Sequence, residues 1–500
     1  MVLICSYTLP PFAPLMSLPV ALPLVAFVFL LSFLPRPSLA HAHSVDSSPF
    51  FPRDAFDRAN HKQQRIRNGL ADVPFMGWST WGQFQCNINE DLVLDMAQAI
   101  KKQKLDVVGY NVIAIDDCWQ APARVNGSLV PDPTKFPRGM RYLADQLHAI
   151  GLQLGIYTDI GRQTCAGFPG SYDLWQKDTE TFASWGVDAV KVDFCHRARH
   201  ELLHPEQYYM LFGAALISSG RSMIYQVCNW GELKPWQWAR DTGANSWRVA
   251  NDGFPAWQST MRILGDYDRH SLQRYGSPGG WNDLDFLMAG VNGTWFNWNS
   301  SSASISATAA AAAAAGDADA ASMLALGVPA SLTQDEARAQ FSLWCLSASP
   351  LVLAADLTNP SLNWVVPMVS NTAVIAINQD PLGIPGMLFD EVLTGVHVKG
   401  VCLSAHCSHL QLWMRPLSRA AVAVVVLNVG SPFTSDSSKF STESYDLFLP
   451  ALGFSLREPL VITDLWSGLQ QTVVTPTFTV AGVAQHGCRM FKVNQQEPTP

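Results

Sequence analysis

Residues 188–196 read DAVKVDFCH, a short run of mostly apolar residues that carries a lysine and ends near an aspartate. Its valines and alanine predict a buried strand of a parallel sheet. Because side chains alternate along a strand, Lys191 and Asp193 point to the same face. A buried strand that finishes on a carboxylate is unusual.

Seven similar runs lie between about residue 70 and residue 355, with helical patterns between them at the spacing of βα units. A helix is predicted over 90–103, where apolar residues recur at intervals of three and four. This alternation predicts a (β/α)8 TIM barrel, whose active site is built at the carboxyl ends of the strands. The eight predicted strands are FMGWST (75–80), YNVIAID (110–116), LQLGIYT (152–158), DAVKVD (188–193), SMIYQVCN (222–229), NSWRV (245–249), GWNDLDFL (280–287) and SPLVLA (349–354).

The pattern changes from about residue 395, where the runs LQLWMRPL, AAVAVVVLNV and PLVITDLW are separated by turn residues. Without a long helical pattern, these runs predict a C-terminal antiparallel β-sandwich domain. We expect the barrel over 70–388 and the sandwich over 389–496. A low-complexity, alanine-rich insertion, at about 300–322, interrupts the barrel and lacks the residues that form a core.

The amino-terminal residues predict entry into the secretory pathway. An apolar run over 21–34 precedes the small residues Ser38 and Ala40, which predicts a signal peptide over 1–40 and a lead segment over 41–69. A signal anchor is the alternative. We expect no membrane span in the mature chain and a final location outside the cell or in a vacuole or lysosome. Ten cysteines and three N-glycosylation sequons, at Asn126, Asn292 and Asn299, suit that route.

Composition narrows the function. The 500 residues are 48% apolar and 15% charged, with a formal net charge of −8. This balance predicts a large folded core and gives no electrostatic basis for a nucleic-acid partner. The 17 tryptophans suit both a core and a sugar-binding cleft, where flat rings stack on sugar faces.

Charged side chains gather where the predicted strands end: Asp116 and Asp117 after the second, Asp193 after the fourth, and Arg248 with Asp252 after the sixth. A single aspartate at such a place is most often a helix cap. Together, separate carboxylates at one barrel face provide the nucleophile and the acid/base that retaining glycoside hydrolysis requires. We expect the charge of Lys191 to lower the pKa of Asp193 and keep it ionised.

The chain resembles the melibiases, glycoside hydrolase family 27, over roughly residues 68–495. This family comprises retaining α-galactosidases and α-N-acetylgalactosaminidases. The stretches that carry the resemblance are PFMGWSTW, IDDCW, GIYTDIGRQTCAGFPGS, WGVDAVKVDFC, CNWG, NSWR followed by Asp252, GGWNDLD, FSLW and AVIAINQDPLG.

The resemblance implies a role for each matching residue. Asp193 would be the nucleophile and Asp252 the acid/base. Asp116 and Asp117 would bind the 4- and 6-hydroxyls, while Lys191 and Arg248 would hold hydroxyls and orient the carboxylates. Trp78 and Trp230 would line the sugar pocket, Tyr157 and Cys228 would lie near it, and Asn229 would bind the C2 hydroxyl of a galactoside.

The resemblance also implies that disulfides join Cys86 to Cys118 and Cys165 to Cys195, leaving Cys228 as the free thiol. The family uses no cofactor and no metal.

The sequence departs from the family motifs at two places, and it leaves alternatives open for a metal site, for the substrate and for the class of protein. The first motif reads MGWSTWG rather than MGWNSWN, and Phe286 replaces a methionine, which affects pocket shape but no proton-transferring group. His196, His200 and His204 share one helical face and form the competing metal-site hypothesis. The alternative substrates are α-N-acetylgalactosaminides and β-L-arabinopyranosides, and the alternative class is an inactive carbohydrate-binding protein.

Overall fold

The structure is a computed structural model that describes residues 68–196, 204–292, 331–394, 397–398, 401–402, 408–430 and 442–496. The chain separates into two units, Met1–Pro52 and Arg53–Pro500, and every described residue belongs to the second. The predicted signal peptide, the insertion at 300–322 and His200 lie outside the described residues.

Eight parallel strands form the first sheet, in the order β7-β6-β5-β4-β3-β2-β1-β8. Seven of them lie within a strand predicted from the sequence, and β3 extends one residue beyond its predicted end, so the prediction of eight barrel strands is confirmed. The strands are β1 Met76–Ser79, β2 Tyr110–Ala114, β3 Gln153–Asp159, β4 Ala189–Asp193, β5 Ile224–Val227, β6 Ser246–Arg248, β7 Trp281–Asp283 and β8 Leu351–Leu353.

The sheet closes on itself beyond β7. Leu287 forms a parallel bridge with Leu353 of β8, and its amide donates to the carbonyl of Val352 at 2.8 Å. Because all eight strands are parallel, their carboxyl ends meet on one face of the barrel.

Helices surround the barrel. They are α1 Trp81–Phe84, α2 Glu90–Lys102, α3 Gly139–Ala149, α4 Trp175–Trp185, α5 Pro205–Ser218, α6 Trp257–Arg269, α7 Gln334–Leu346, α8 Val365–Val369 and α9 Thr372–Asn378. Short 3-10 helices occupy Asp106–Val108, Pro235–Gln237, Ala239–Thr242, Leu272–Arg274, Pro360–Leu362 and Leu449–Leu452.

Helix α2 shows why the spacing of apolar residues predicted a helix correctly. Asn89 caps it by accepting a hydrogen bond from the Leu92 amide at 2.8 Å, and the helix buries Val93, Met96 and Ile100. The spacing of these apolar residues places them on one face, which packs against the barrel. The helix predicted over 90–103 is therefore confirmed to within one residue.

The second part of the chain is antiparallel, and the predicted fold class of a barrel followed by a β-sandwich is confirmed. One sheet has six strands in the order β16-β15-β18-β13-β12-β9, and a two-stranded sheet pairs β14 with β17. The strands are β9 Met387–Thr394, β10 His397–Val398, β11 Val401–Cys402, β12 Ser408–Pro416, β13 Val422–Asn428, β14 Glu443–Phe448, β15 Leu460–Asp464, β16 Gln470–Val473, β17 Thr477–Val483 and β18 Cys488–Gln495.

Strand β13 explains how the two domains share a core. Its residues Val422, Val424 and Val426 pack inside the sandwich. The alternate residues Ala423, Val425 and Leu427 join the hydrophobic cluster of the barrel. A strand buried on both faces is apolar at every position, which accounts for the uninterrupted run VAVVVL.

A second contact joins the domains at His486, in the turn between β17 and β18. Its Nδ1 lies 2.8 Å from Oε1 of Glu336 on α7, and its ring stacks on Trp257 of α6 with centroids 4.9 Å apart. Trp257 in turn donates from Nε1 to the carbonyl of Val429 at 3.1 Å. The starts of α6 and α7 are therefore held by the sandwich domain.

Within the described ranges, no helix combines the length and the apolar character that crossing a bilayer requires.

Candidate active site

A pocket opens at the carboxyl ends of the barrel strands, and we call it the mouth pocket. The residues that line it include seven for which the sequence predicted a catalytic or sugar-binding role: Asp116, Asp117, Tyr157, Lys191, Asp193, Arg248 and Asp252. Trp81, Cys165, Asp285 and Phe286 complete the lining. The strand ends thus bring together groups that are far apart in sequence, from Trp81 to Phe286.

Asp193 ends β4 and is only 6% exposed. Its Oδ2 accepts a hydrogen bond from the Tyr157 hydroxyl at 3.0 Å, and its Oδ1 accepts one from the Phe194 amide at 3.0 Å. Burial raises the pKa of Asp193 to about 7. The charge of Lys191 and the Tyr157 hydrogen bond lower the pKa, and the carboxylates of Asp252 and Asp116 raise it. Lys191 thus acts in the expected direction but does not outweigh burial, so the expected net lowering is wrong.

Lys191 forms an ion pair with Asp116, whose Oδ2 lies 2.8 Å from the lysine Nζ. Burial alone lowers the pKa of Lys191, but the carboxylates of Asp116 and Asp193 outweigh it and raise the pKa well above the usual value. The lysine therefore stays charged, and its ammonium lies 5.4 Å from the ring centre of Phe286. Asp116 is fixed further by its own amide, which donates to Thr80 Oγ1 at 2.9 Å.

Asp117 is oriented by backbone donors. Its Oδ1 accepts from the Cys118 amide at 2.6 Å and its Oδ2 from the Ala166 amide at 2.8 Å. Burial raises its pKa, although these hydrogen bonds oppose the shift. The preset carboxyl group faces the pocket with little freedom to rotate.

Two disulfides hold the loops around these carboxylates, with the pairings that the family resemblance implied. Cys86 is joined to Cys118 and Cys165 to Cys195. Cys165 Sγ lies 3.4 Å from Oδ2 of Asp193, so the second disulfide forms part of the pocket wall. Among the described cysteines, Cys228 is free and buried as expected, and Cys345 and Cys488 are also free and buried.

Asp252 lies in the loop after β6 and is the more accessible carboxylate, with 44% of its side chain exposed. Arg248 is buried between two acids: its Nη2 lies 3.0 Å from Oδ1 of Asp252 and 2.8 Å from Oδ2 of Asp285. Burial lowers the pKa of Arg248, but Asp285 and Asp252 outweigh it and raise the pKa well above its usual value. Arg248 thus remains a fixed positive charge beside Asp252.

Four of the residues for which the sequence predicted a sugar-binding role lie outside the lining of the mouth pocket. Trp78 is fully buried, with its indole donating to the Ala355 carbonyl at 2.8 Å. Cys228 is buried beneath Arg248, whose Nη1 lies 3.7 Å from its sulfur. Asn229 is also buried and donates to the Glu232 carbonyl in its own loop, while half-buried Trp230 contacts the ring of Phe194.

Three residues in or beside the site were missed in the sequence. Trp81 and Asp285 line the pocket, and Asp159 lies next to Asp193 across the β3–β4 ladder. Asp159 accepts the amides of Gly161 at 2.6 Å and Cys195 at 2.8 Å, and burial together with Asp193 raises its pKa well above the usual value. All three lie in motifs that carry the family resemblance, PFMGWSTW, GGWNDLD and GIYTDIGRQ, so the sequence contained the signal that could have identified them.

A cluster of possible metal ligands lies next to Asp193. Asp159, Cys165, Asp193 and Cys195 each place an atom within 4.8 Å of the other three. Metals bind cysteine as the thiolate, and the disulfide removes both sulfurs from that role. Of the three histidines, His196 is exposed and His204 caps α5 together with Gln207.

Comparison with known protein families decides the assignment. The family described as alpha galactosidase A matches residues 73–313 and 295–380, more than half of the chain. The chain belongs to the melibiase family. The alpha galactosidase C-terminal beta sandwich domain matches residues 408–493. The two matches correspond to the barrel and the β-sandwich of this melibiase.

Individual relatives match most of the length of this melibiase. Alpha-galactosidase 2 of Arabidopsis thaliana is 34% identical over 435 residues, which span 86% of this chain and 92% of the relative. Alpha-N-acetylgalactosaminidase of Gallus gallus is 34% identical over 427 residues, spanning 81% and 88%. The crystal structure of alpha-galactosidase I from Mortierella vinacea has a TM-score of 0.68 at 30% identity, and the match covers 86% of this chain and 98% of that one.

Proposed function

We propose that this protein is a retaining exo-α-galactosidase that removes terminal α-linked galactose from oligosaccharides or glycoconjugates. The observation that carries the proposal is the contrast between two carboxylates of one pocket. Asp193 is buried against Tyr157, whereas Asp252 is half exposed beside Arg248. A nucleophile benefits from a fixed, enclosed position, and an acid/base must reach both the leaving group and water.

The reaction proceeds in two displacements at the anomeric carbon. Protonated Asp252 gives its proton to the glycosidic oxygen while a carboxylate oxygen of Asp193 attacks, forming a galactosyl ester and releasing the alcohol. Asp252, now a carboxylate, takes a proton from water, and the resulting attack breaks the ester and restores Asp193. Both displacements invert the carbon, so its configuration is retained.

Sugar recognition is assigned to the charged groups that surround Asp193. We assign Asp116 and Asp117 to the 4- and 6-hydroxyls, and Lys191 and Arg248 to further hydroxyls. Their support is geometric: all four line the mouth pocket, and each is fixed by an ion pair or by backbone donors. Preset donors and acceptors discriminate because an epimer leaves them unpaired.

The C2 substituent separates the two candidate substrates within the family. The Arabidopsis relative is named an α-galactosidase and the chicken relative an α-N-acetylgalactosaminidase, at equal identity to this chain. We favour the α-galactoside because Asn229 fills the loop after β5 with a fully buried amide, where a smaller residue would leave room for an N-acetyl group. Entry into the secretory pathway is part of the proposal, supported by the two disulfides.

A matched set of aryl glycosides tests the substrate assignment. We expect the secreted protein to hydrolyse the aryl α-galactoside far faster than the α-N-acetylgalactosaminide, the β-L-arabinopyranoside and the α-glucoside. A preference for the second or third would replace the proposed substrate. Binding of galactose without turnover of any glycoside would favour a carbohydrate-binding protein.

The two roles are separated by substitution. Asp193→Ala should abolish turnover for every leaving group, whereas Asp252→Ala should still release an activated aryl group and accumulate the galactosyl-enzyme. Mass spectrometry of the Asp252→Ala protein after mixing would detect the added galactosyl group. Full activity in either variant would contradict the assigned roles.

A further inference from the structure

The acid/base lies on a loop rather than on a strand. Residues 249–256 connect the end of β6 to the start of α6, and we call them the acid/base loop. Asp193 is placed by the barrel sheet itself, but Asp252 has no ladder hydrogen bonds to fix it. General acid catalysis nevertheless requires the carboxyl group within hydrogen-bonding reach of the glycosidic oxygen. Other contacts must therefore hold this loop.

Side chains outside the loop bind its backbone at consecutive positions. Arg262 donates from Nη2 to the carbonyl of Asp252 at 2.7 Å and to that of Asn251 at 3.3 Å. The Gly253 amide donates to Oδ2 of Asp285 at 2.7 Å. The Phe254 amide donates to Ser259 Oγ at 2.9 Å.

The contact from Arg262 differs in kind from the one made by Arg248. Arg248 donates from Nη2 to the Asp252 carboxylate itself, at 3.0 Å. Arg262 binds the main-chain carbonyl of the same residue and leaves the carboxyl group for the substrate. A charged donor on a backbone carbonyl makes a stronger bond than a neutral one, so it suits a positioning role.

The helix that carries Arg262 is a rigid support. Helix α6 begins directly after the loop, and it buries Trp257, Ile263, Leu264 and Tyr267. Trp257 is held by His486 and by the Val429 carbonyl, and the Tyr267 hydroxyl donates to the Gly386 carbonyl at 2.8 Å. The backbone at Arg262 is therefore fixed, and its side chain reaches the acid/base loop from a rigid helix.

We propose that Arg262 is a positioning residue for the acid/base: it ties the Asp252 backbone to α6 and so sets where the carboxyl group meets the leaving oxygen. The proposal rests on the role assigned to Asp252. Loss of the tie should affect the step that needs proton donation more than the attack by Asp193, because the nucleophile is held by other elements.

The test compares two substrates that differ in their need for an acid. The dinitrophenyl α-galactoside has a leaving group that departs without protonation, and the phenyl α-galactoside requires it. Arg262→Met, which keeps the length of the side chain and removes its donors, should lower kcat/KM for the phenyl substrate by roughly tenfold or more. For the dinitrophenyl substrate we expect a change of less than about threefold.

A matched control lies on the same helix. Arg269 is exposed and pairs with Asp266 of the same helix at 3.1 Å, away from the acid/base loop, so Arg269→Met should leave both substrates unchanged. Arg262→Lys retains one charged donor and should recover part of the phenyl activity; it also serves if the methionine variant does not fold. An equal fall for both substrates, or no fall, would refute the positioning role.

The outcome also separates this inference from the proposed function. If Asp252→Ala spares the dinitrophenyl substrate and Arg262→Met affects both substrates alike, only the role of Arg262 is wrong. If Asp252→Ala itself shows no dependence on the leaving group, the assignment of the acid/base fails first.

Discussion

The nucleophile candidate Asp193 combines two opposing requirements in a single side chain. Burial fixes its position and excludes water, but it also raises the pKa to about 7. Lys191 and the Tyr157 hydroxyl counter that rise by stabilising the carboxylate. The balance at this residue decides the lowest pH at which the free enzyme carries an ionised nucleophile.

Removing the Tyr157 hydroxyl tests that balance. In Tyr157→Phe the carboxylate loses a hydrogen bond that favours its charged form, so the pKa of Asp193 rises further. The nucleophile then ionises only at higher pH, and the acid limb of the kcat/KM profile should move upward by roughly half to one pH unit.

Tyr209→Phe provides the control for that shift. The Tyr209 hydroxyl donates to the main-chain carbonyl of Asp193 at 3.1 Å and not to its carboxylate. Its acid limb should coincide with that of the unmodified enzyme. If the two variants shift alike, the Tyr157 hydrogen bond does not control the ionisation of Asp193.

Among the connecting elements, the loop after β5 has a constrained backbone. Trp230, Leu233 and Lys234 have positive φ angles of 54°, 59° and 55°, a region that side chains disfavour. Gly231, at φ 79°, packs against the start of the acid/base loop, since a Cβ there would lie 2.4 Å from the Val249 carbonyl. The backbones of the two loops are therefore in close contact at Gly231 and Val249.

Gly231→Ala should disturb both loops at once. It adds left-handed strain and a clash with backbone, and we expect it to lower the free energy of unfolding by about 2–4 kcal/mol. Gly220→Ala has a similar φ of 77° but open space around the new Cβ, so about 1 kcal/mol is expected. Chemical denaturation of both variants measures the difference; equal losses would show that the contact with Val249 is unimportant.

At the scale of the whole molecule, the sandwich domain supports the helices that carry the catalytic loops. Strand β13 contributes one face to each core, and His486 reaches α6 and α7 together. The support acts at the start of α6, directly after the acid/base loop. Stability of the domain interface and geometry at the mouth pocket are thus linked through one helix.

Substitution of His486 tests this support. His486→Ala removes the stacking on Trp257 and the partner of Glu336, and we expect a loss of about 1–3 kcal/mol in the free energy of unfolding. His409 pairs with Glu391 at 2.6 Å inside the sandwich, so His409→Ala should cost less and leave the barrel unaffected. Thermal unfolding of both variants is the measurement, and equal transition temperatures would contradict a special role for the interface.

The barrel and the site carboxylates could be predicted from the sequence because both obey strict geometry. Parallel strands of a barrel place their ends on one face, so residues such as Asp116 and Asp193 had to converge. The cores of both domains likewise follow from periodicity: β13 is apolar throughout because both of its faces are covered.

The contacts of loops could not be predicted in the same way. Arg262 meets the Asp252 carbonyl, and Asp285 meets Gly253, only because separate elements fold beside each other. The direction of a side chain near a strand end is equally undetermined, as Trp78 shows by pointing toward the Ala355 carbonyl rather than into the mouth pocket. The spacing of apolar residues predicts which face of a helix or strand is buried, but it does not predict which element packs against that face.

Closure of the barrel between β7 and β8 has a consequence for how the molecule opens. Neighbouring barrel strands elsewhere share two or more partner positions, whereas this wall depends on the bridge of Leu287 with Leu353. If the barrel opens transiently, we expect the strands to separate at this wall first. In hydrogen–deuterium exchange, amides along this wall should then take up deuterium earlier than those of β3 and β4.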